Sequence, residues 1–179
     1  MTDKQLVKKC LRNADGAVDE FYNRYGSAMY GICLRYSKSR MDAEDILQEG
    51  FIKALTKLKE FRNEGPLGGW IRKIVINTAI NFYRNKNSQF LNIDDVNYDN
   101  EDLDKDIISQ LSVNELLGFI QELPEGYRMV FNMYVIEGYK HKEIAETLNI
   151  TENTSKSQLA KARKHLQEKI KEVCYEKTV

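Results

Sequence analysis

The sequence predicts an all-α protein made of two small helical domains joined by an acidic, flexible linker. The chain of 179 residues has only two prolines and ten glycines, as helical proteins often do. Through most of it, apolar residues recur at spacings of three and four, which is typical of amphipathic helices. One long stretch lacks this periodicity and is rich in acids. We therefore place the first domain at residues 1–86, the linker at 87–108 and the second domain at 109–179.

The formal net charge is zero, but the charges are segregated along the chain. Residues 1–86 hold 16 Lys and Arg against 10 Asp and Glu, a net charge of +6. Residues 87–115 hold one Lys against eight acids, a net charge of −7. A segment of that composition buries too little apolar surface to fold by itself. Residues 116–179 hold ten Lys and Arg against nine acids, a net charge of +1, with the basic charge gathered on one helix. This distribution allows a nucleic-acid partner despite the zero sum.

The composition also bears on compartment. No apolar run approaches the ~18 residues of a membrane-spanning helix, and the N-terminus lacks a signal-peptide pattern. We expect a soluble, cytoplasmic protein that does not insert into the membrane. Cys10, Cys33 and Cys174 are odd in number and widely spaced, which favours reduced thiols over a disulfide framework or a metal site.

Three helices are predicted in the first part of the first domain, residues 1–86. Lys4–Ala14 and Ala17–Ser37 are amphipathic segments, and Asp42–Leu55 follows with Asp42 as its N-cap. The outward face of the third helix mixes acids with an apolar residue: Asp45, Gln48, Glu49 and Ile52. Carboxylates on a basic domain would repel DNA, so this face suits a protein partner with a basic, partly apolar surface. A solvated acidic face is the alternative.

The segment Phe61–Trp70 is dense in Gly and Pro and is predicted to be a loop. A helix over Trp70–Arg84 should then bury Trp70, Ile71, Ile74, Val75, Thr78 and Phe82. Cations and amides follow another side of this helix: Lys73, Asn77, Asn81 and Arg84, with Arg72 nearby. Such a line is typical of surfaces that bind nucleic acid, although ordinary solvated side chains are a fair alternative.

The second domain should contain four helices. Pro124 ends the helix Leu111–Leu123, and Glu125–Glu137 forms the next. The stretch His141–Glu172 then indicates a short helix, a three-residue turn and a long basic helix. Asn149 tolerates the left-handed conformation that ends a helix, and Thr151 is a suitable N-cap.

The long helix combines a buried stripe with many cations. The stripe is Leu159, Ala162, Leu166, Ile170 and Val173, and the face opposite it carries Asn153, Thr154, Ser157, Lys161 and Lys164. Six Lys and Arg between positions 156 and 171 oppose one acid, Glu168. Short polar groups at the N-terminal end of a basic helix suit a major groove, so we predict a DNA-binding helix-turn-helix. A solvated amphipathic helix is the alternative. Ser155 faces inward and needs a backbone acceptor, or it costs about 1–3 kcal/mol.

Taken in order, these motifs resemble a known family. The segments DAEDILQEGFIKAL, WIRKIVINTAINFYRNK and LPEGYRMVF, followed by EGYKHKEIAETLNITENTSKSQLAKARKHL, are similar to the extracytoplasmic-function (ECF) sigma factors of bacteria, group 4 of the sigma-70 family. The resemblance implies σ2-like and σ4-like helical domains and no catalytic site. It implies two partners, core RNA polymerase and promoter DNA. The DNA would be double-stranded at −35 and partly single-stranded at −10. An anti-sigma protein is implied as a third.

The resemblance also assigns roles to the surfaces described above. Binding to the clamp of the largest polymerase subunit falls to Asp42, Asp45, Gln48, Glu49 and Ile52. Contacts with the −10 element fall to Arg72, Lys73, Asn77, Asn81 and Arg84. The Phe61–Gly69 loop and the helix after it are similar to the part that opens this element and holds an unstacked base. Contacts with the −35 element fall to Asn153, Thr154, Lys156, Ser157, Gln158, Lys161, Arg163 and Lys164. Many family members carry Arg where this chain has Gln158, and Gln pairs more naturally with adenine.

Two other classes of protein are possible. A helix-turn-helix regulator that does not bind polymerase core would need a sensing N-terminal domain, and the acidic and apolar helix at 42–55 would have no role in it. A nucleic-acid enzyme would need clustered carboxylates for a metal, whereas the acids of the linker are dispersed. The sequence contains neither a phosphate-binding loop nor an HExxH motif, so we expect no cofactor, no metal and no catalytic residues.

Overall fold

The computed structural model describes residues 1–86 and 112–178, and it is helical without any strand across those residues. This confirms the all-α prediction. The chain divides into two compact units, Met1–Lys86 and Asn87–Val179. The predicted linker at 87–108 lies outside the described residues, as does the predicted start of the second domain at 109.

The first unit contains four α-helices and one short 3₁₀ turn. They are α1 (Asp3–Leu11), α2 (Ala17–Tyr36), α3 (Arg40–Thr56), the 3₁₀ turn Leu58–Glu60, and α4 (Leu67–Lys86). α2, α3 and α4 pack against one another, and α1 packs on α2. The core is filled by side chains that are almost fully buried, among them Leu6, Phe21, Ile46, Leu58, Leu67 and Ile71.

Local side-chain caps fix where two of these helices begin. Thr2 accepts a hydrogen bond from the backbone of Gln5 and forms a capping box with it at the start of α1. Ser39 caps α3 by accepting from the N–H of Asp42 at 3.1 Å. The prediction that Asp42 is the cap was therefore wrong by three residues. Asp42 instead accepts a hydrogen bond from the hydroxyl of Tyr83, at 3.3 Å, and joins α3 to α4.

α4 begins earlier than the sequence predicted. The helix starts at Leu67 and includes Gly68 and Gly69, so the irregular segment is shorter than the predicted loop, and Phe61–Pro66 is what remains of it. Two glycines in a first turn are weak helix formers, which is why composition alone favoured a loop. Tertiary contacts outweigh that preference: Leu67 is completely buried.

α3 and α4 approach closely at a glycine. A methyl group added at Gly50 would lie 3.0 Å from Cγ2 of Val75 and 3.5 Å from its Cα atom. A contact of 3.0 Å is tighter than nine in ten real Cβ contacts, so Cγ2 of Val75 would have to give by a few tenths of an ångström in a close-packed interior. Gly50 therefore lets the helix with the acidic outward face pack closely on the helix with the cationic one at Val75.

Residues 112–178, the described part of the second unit, also form four α-helices. They are α5 (Val113–Glu122), α6 (Glu125–Phe131), α7 (His141–Leu148) and α8 (Glu152–Thr178), with a π-helical turn at Asn132–Ile136 after α6. The sequence predicted one regular helix over 125–137. In the structure the α-helical pattern ends at Phe131 and the wider turn follows.

The core of this unit forms along α8. Leu123, Ala162 and Leu166 are buried together, and the partly buried residues packed on them are Phe119, Ile120, Tyr127 and Phe131. Arg128 is buried too, and its Nη1 donates to the backbone carbonyls of Gln121 and Leu123 at 3.0 and 2.9 Å. A buried cation at the C-terminal end of α5 satisfies carbonyls that the helix itself leaves open.

Candidate polymerase and nucleic-acid interfaces

The outward face of α3 is the first candidate surface. Asp45, Gln48 and Glu49 are exposed, and Ile52 is 58% exposed at the position opposite the core. Met41, which sequence reasoning did not select, is 71% exposed and lies on the same face. Its position four residues before Asp45 and eleven before Ile52 was the available signal. The face therefore carries two large apolar side chains beside its acids.

Two of the predicted residues on α3 have partners within the protein. Glu49 forms an ion pair with Lys53 one turn away. Both side chains are partly exposed, so this pair contributes little to stability and can exchange for an outside partner. Asp42 is only partly exposed and bonds Tyr83, so it lies at the edge of the face.

A pocket of about 460 Å³ lies between the Phe61–Pro66 segment and the start of α4. Phe61 and Trp70 form an aromatic pair in its lining, with ring centroids 5.5 Å apart and planes tilted by 51°. Arg62 and Lys73 supply positive charge to the lining, and Glu60 and Glu64 supply negative charge. The volume falls within the ~300–1,000 Å³ of typical small-molecule sites, and aromatic walls suit a flat, unstacked ring.

The predicted cationic and amide side of α4 leads away from this pocket. Lys73, Asn77 and Arg84 are exposed, whereas Arg72 and Asn81 are half-buried. Lys73 belongs both to this line and to the pocket lining. A strand whose base entered the pocket could therefore place its phosphates along α4.

The buried cysteines of the first unit take no part in these surfaces. Burial raises the pKa of the Cys33 thiol to about 12, and burial also raises the pKa of Cys10. Both thiols stay protonated and poorly nucleophilic at neutral pH.

The helix-turn-helix of the second unit is closed by the residues predicted to form its turn. Asn149 adopts the left-handed conformation, with φ 56° and ψ 49°, and ends α7. Thr151 then caps α8, because its Oγ1 accepts from the N–H of Thr154 at 3.0 Å. Both predictions are thus confirmed, and each depends only on residues close in sequence.

Ser155 is buried, as predicted, but its partner is not a backbone acceptor. Its hydroxyl lies 2.9 Å from Nδ1 of His141, at the start of α7. The imidazole also stacks on Tyr134, with ring centroids 4.4 Å apart and planes tilted by 21°. Burial, followed by the nearby charge of Lys156, lowers the pKa of His141. The neutral ring therefore links the two helices of the motif.

The exposed side of α8 carries most of the predicted −35 residues. Asn153, Lys156, Arg163 and Lys164 are exposed, and Ser157 and Lys161 are partly exposed. The predicted buried stripe is confirmed at Leu159, Ala162, Leu166 and Ile170, whereas its last member, Val173, is only half-buried.

Two residues predicted to face DNA lie inside. Thr154 is only 6% exposed, and its hydroxyl bonds Thr151 at 2.8 Å as part of the cap. Gln158 is 2% exposed and packs on α6, where a methyl group added at Gly126 would lie 3.0 Å from its Nε2. The amide oxygen of Gln158 is buried without a hydrogen-bond partner. The prediction that these two side chains lie on the exposed side of α8 was therefore wrong.

Two further findings concern the described residues only. Within them, no group of three or more His, Cys, Asp or Glu is arranged to hold a metal ion. None of their helices is both long and apolar enough to cross a membrane.

Comparison with known proteins connects both units to one family. The model of sigma-70 region 2 matches residues 21–89, and the model of sigma-70 region 4 matches residues 114–166. The first match includes α3, the pocket and α4. The second includes the helix-turn-helix and α8 as far as Leu166.

Individual relatives match almost the full length of the chain. The ECF RNA polymerase sigma-E factor of Haemophilus influenzae is 30% identical over 182 residues, which cover 95% of this chain and 96% of the relative. The ECF RNA polymerase sigma factor SigM of Bacillus subtilis is 28% identical over 151 residues, covering 83% of this chain and 92% of that one.

A solved structure agrees on the fold. The sigma factor RpoE of Bartonella quintana, crystallised with the anti-sigma factor NepR, aligns with a TM-score of 0.52 and 20% sequence identity, over 87% of this chain and 98% of that one. Identity at this level bears on the fold alone. Since a relative with 30% identity matches along nearly the whole chain and both sigma-70 regions are present in order, the chain belongs to the ECF group of the sigma-70 family of RNA polymerase sigma factors.

Proposed function

We propose that this sigma factor binds core polymerase through the outward face of α3. The contact residues are Asp45, Gln48, Glu49, Ile52 and Met41, with Asp42 at the edge. Exposed methionine and isoleucine beside carboxylates suit a partner surface that is basic at its rim and apolar at its centre. The Glu49–Lys53 ion pair would then exchange for one across the interface.

The pocket at the start of α4 is the observation that carries the proposed part in promoter opening. An unstacked −10 base enters between Phe61 and Trp70, and stacking on an aromatic ring is worth about 1–3 kcal/mol per base. That gain offsets the few kcal/mol that unstacking a base costs. Lys73, Asn77 and Arg84, with Arg72 and Asn81 partly exposed beside them, hold the strand that leads to the pocket.

The −35 element meets the exposed side of α8. Asn153 and Ser157 lie in the first two turns, where short side chains reach base edges, and Lys156, Lys161, Arg163 and Lys164 neutralise phosphates. Thr154 and Gln158 hold the helix in place from inside.

The mechanism needs no catalytic step by this chain. Binding energy at α3, the pocket and α8 recruits polymerase and separates the strands, while the nucleotidyl transfer belongs to the polymerase. We also propose that an anti-sigma protein holds this chain inactive. The support is that the structurally similar sigma factor of Bartonella quintana was solved with one.

Run-off transcription on a promoter library tests the function. Core polymerase with this chain should transcribe a subset of templates that core alone does not. Trp70→Ala should reduce strand opening on the selected promoters while polymerase still binds the chain. If core polymerase and the purified chain do not co-elute, the protein does not act as a sigma subunit, and DNA binding alone would remain.

A further inference from the structure

Asp3 stands in the first turn of α1 but contacts the beginning of α4. Its Oδ2 accepts a hydrogen bond from the backbone N–H of Leu67, the first residue of α4, at 3.2 Å. The two residues are 64 positions apart in sequence. A carboxylate here satisfies one of the open N–H groups of the helix and complements its dipole.

The carboxylate is itself held in place from α2. Tyr25 donates its hydroxyl hydrogen to Asp3 Oδ1 at 2.7 Å, and Arg24 Nη1 lies 3.4 Å from the same oxygen. Burial, and then the hydrogen bond to Asp3, raise the pKa of Tyr25 to about 12. The phenol therefore remains a hydrogen-bond donor at neutral pH, and the charge of Arg24 offsets that of Asp3.

Tyr25 makes a second contact with the same turn of α4. A methyl group added at Gly68 would lie 3.3 Å from its ring, so ring and helix backbone are close. The pocket walls belong to this turn as well. The carbonyl of Pro66 accepts from the N–H groups of Gly69 and Trp70 at 3.1 and 3.3 Å, and all three residues line the pocket.

We propose that Asp3 is a positioning residue for promoter opening: through Leu67 it holds the first turn of α4, and with it the pocket wall, in the geometry that receives an unstacked base. The inference rests on the proposed function of the pocket. A first turn that contains Gly68 and Gly69 has weak helical preference of its own, so an outside cap decides how often the wall is formed. The affinity for the base falls in proportion to that fraction.

The test compares full-length variants assembled with core polymerase on a promoter selected by the wild-type holoenzyme. Strand opening is measured by the permanganate reactivity of unpaired thymines, and core binding is measured separately by titration. Asp3→Ala should reduce opening about fivefold, the usual effect of losing an N-cap, with core binding unchanged. Asp3→Asn keeps one acceptor oxygen, which can bond Leu67 or Tyr25 but not both, so its opening should lie between that of Asp3→Ala and that of wild type.

Thr2→Ala is the matched control. It removes the capping box of α1 itself and leaves the Asp3–Leu67 bond intact, so opening should be unchanged. The inference is overturned if Asp3→Ala opens normally, if it weakens core binding equally, or if Thr2→Ala matches it. Trp70→Ala distinguishes the proposed function of the pocket from the proposed role of Asp3. If Trp70→Ala reduces opening and Asp3→Ala does not, the pocket keeps its proposed function and only the role of Asp3 is lost. If Trp70→Ala opens normally, both fail.

Discussion

Nδ1 of His141 and the hydroxyl of Ser155 lie 2.9 Å apart and join the two helices of the helix-turn-helix. His141 begins α7 and Ser155 lies in the first turn of α8. The charged groups that act on the imidazole are Lys156 and Arg163, which disfavour its protonation, and Glu152, which favours it. Together with burial, the balance keeps the ring neutral.

This link predicts that the second unit loses stability in mild acid. The pKa of His141 is lowered in the folded state, whereas in the unfolded chain it has its ordinary value of about 6.5, so the unfolded chain binds more protons below that pH. The stability is therefore fully present above pH ~6.5 and is lost as the pH falls from that value through the lower pKa of the folded state. Urea titrations at several pH values, followed by the amide resonances of α7 and α8, measure the effect.

The control for that measurement is His141→Gln, which cannot titrate. When the free energy of unfolding is measured at pH 7.5 and at pH 5.5, it should fall less in this variant than in wild type. Equal losses in the two proteins would assign the acid sensitivity to other groups.

Gln158 provides a second prediction about stability. Gln158→Leu replaces an amide whose oxygen is buried without a partner by an apolar side chain of similar size. The free energy of unfolding of the second unit should rise by about 1 kcal/mol, because an unsatisfied buried acceptor is removed. The −35 sequence chosen in a binding selection should not change. A new base preference would mean that Gln158 leaves its buried position when DNA binds.

The α3 face predicts a loss of polymerase binding on charge reversal. Asp45→Lys combined with Glu49→Lys should weaken the affinity for core polymerase by about tenfold, since two favourable charges become repulsive toward a basic partner. The affinity of the helix-turn-helix for duplex −35 DNA should stay the same. Asp15→Lys with Asp19→Lys makes the same change in net charge on exposed residues outside α3 and is the control. Equal weakening by both pairs would indicate a general charge effect.

The cations of α8 predict a change in salt dependence. Lys156→Ala or Lys164→Ala should weaken binding to all DNA sequences and reduce the slope of log K against log salt by about 0.9, the value for one phosphate contact. Lys169→Ala is the control on the same helix. Lys169 lies 3.6 Å from both Glu122 and Glu172, so its charge is paired within the protein and its removal should leave the slope unchanged. An unchanged slope for Lys156→Ala and Lys164→Ala would exclude these residues from the phosphate contact.

Two glycines predict opposite effects of the same substitution. Gly50→Ala should lower the free energy of unfolding of the first unit by about 1–3 kcal/mol, because the added methyl group overpacks against Val75. Gly31→Ala, in α2, meets nothing within 4 Å and should raise it by up to about 1 kcal/mol through helix propensity. Denaturant unfolding followed by the fluorescence of Trp70, the single tryptophan, measures both. If Gly31→Ala lowered the free energy of unfolding, the space around Gly31 would not be open to a methyl group.

Local sequence was sufficient to place most of the helices, though not all of their ends, and to predict the turn of the helix-turn-helix. The apolar residues of α3 and α8 recur with the helical period, and Asn149 and Thr151 act on backbone groups within a few residues of themselves. The exposed positions on α3 also followed from its periodicity. Errors arose where a polar side chain bonds another helix, as Asp42 does, or is buried, as Thr154 and Gln158 are. Gln158 was assigned to the DNA side because its type suits a base, and only its packing on α6 shows that it is buried.

The sequence by itself determined the helical class, most of the buried stripes of α3 and α8, and the family, because these follow from periodic apolar burial and from motifs that are contiguous along the chain. The stripe predicted for α4 was only partly right, since Trp70, Ile74 and Phe82 are half-buried. Tertiary structure alone decided where α4 begins, what satisfies Ser155, and that Asp3 holds a turn 64 residues away. Each of these depends on a hydrogen bond or a packing contact between separate helices. The energy of such a contact depends on distance in space, and no period within one helix encodes it.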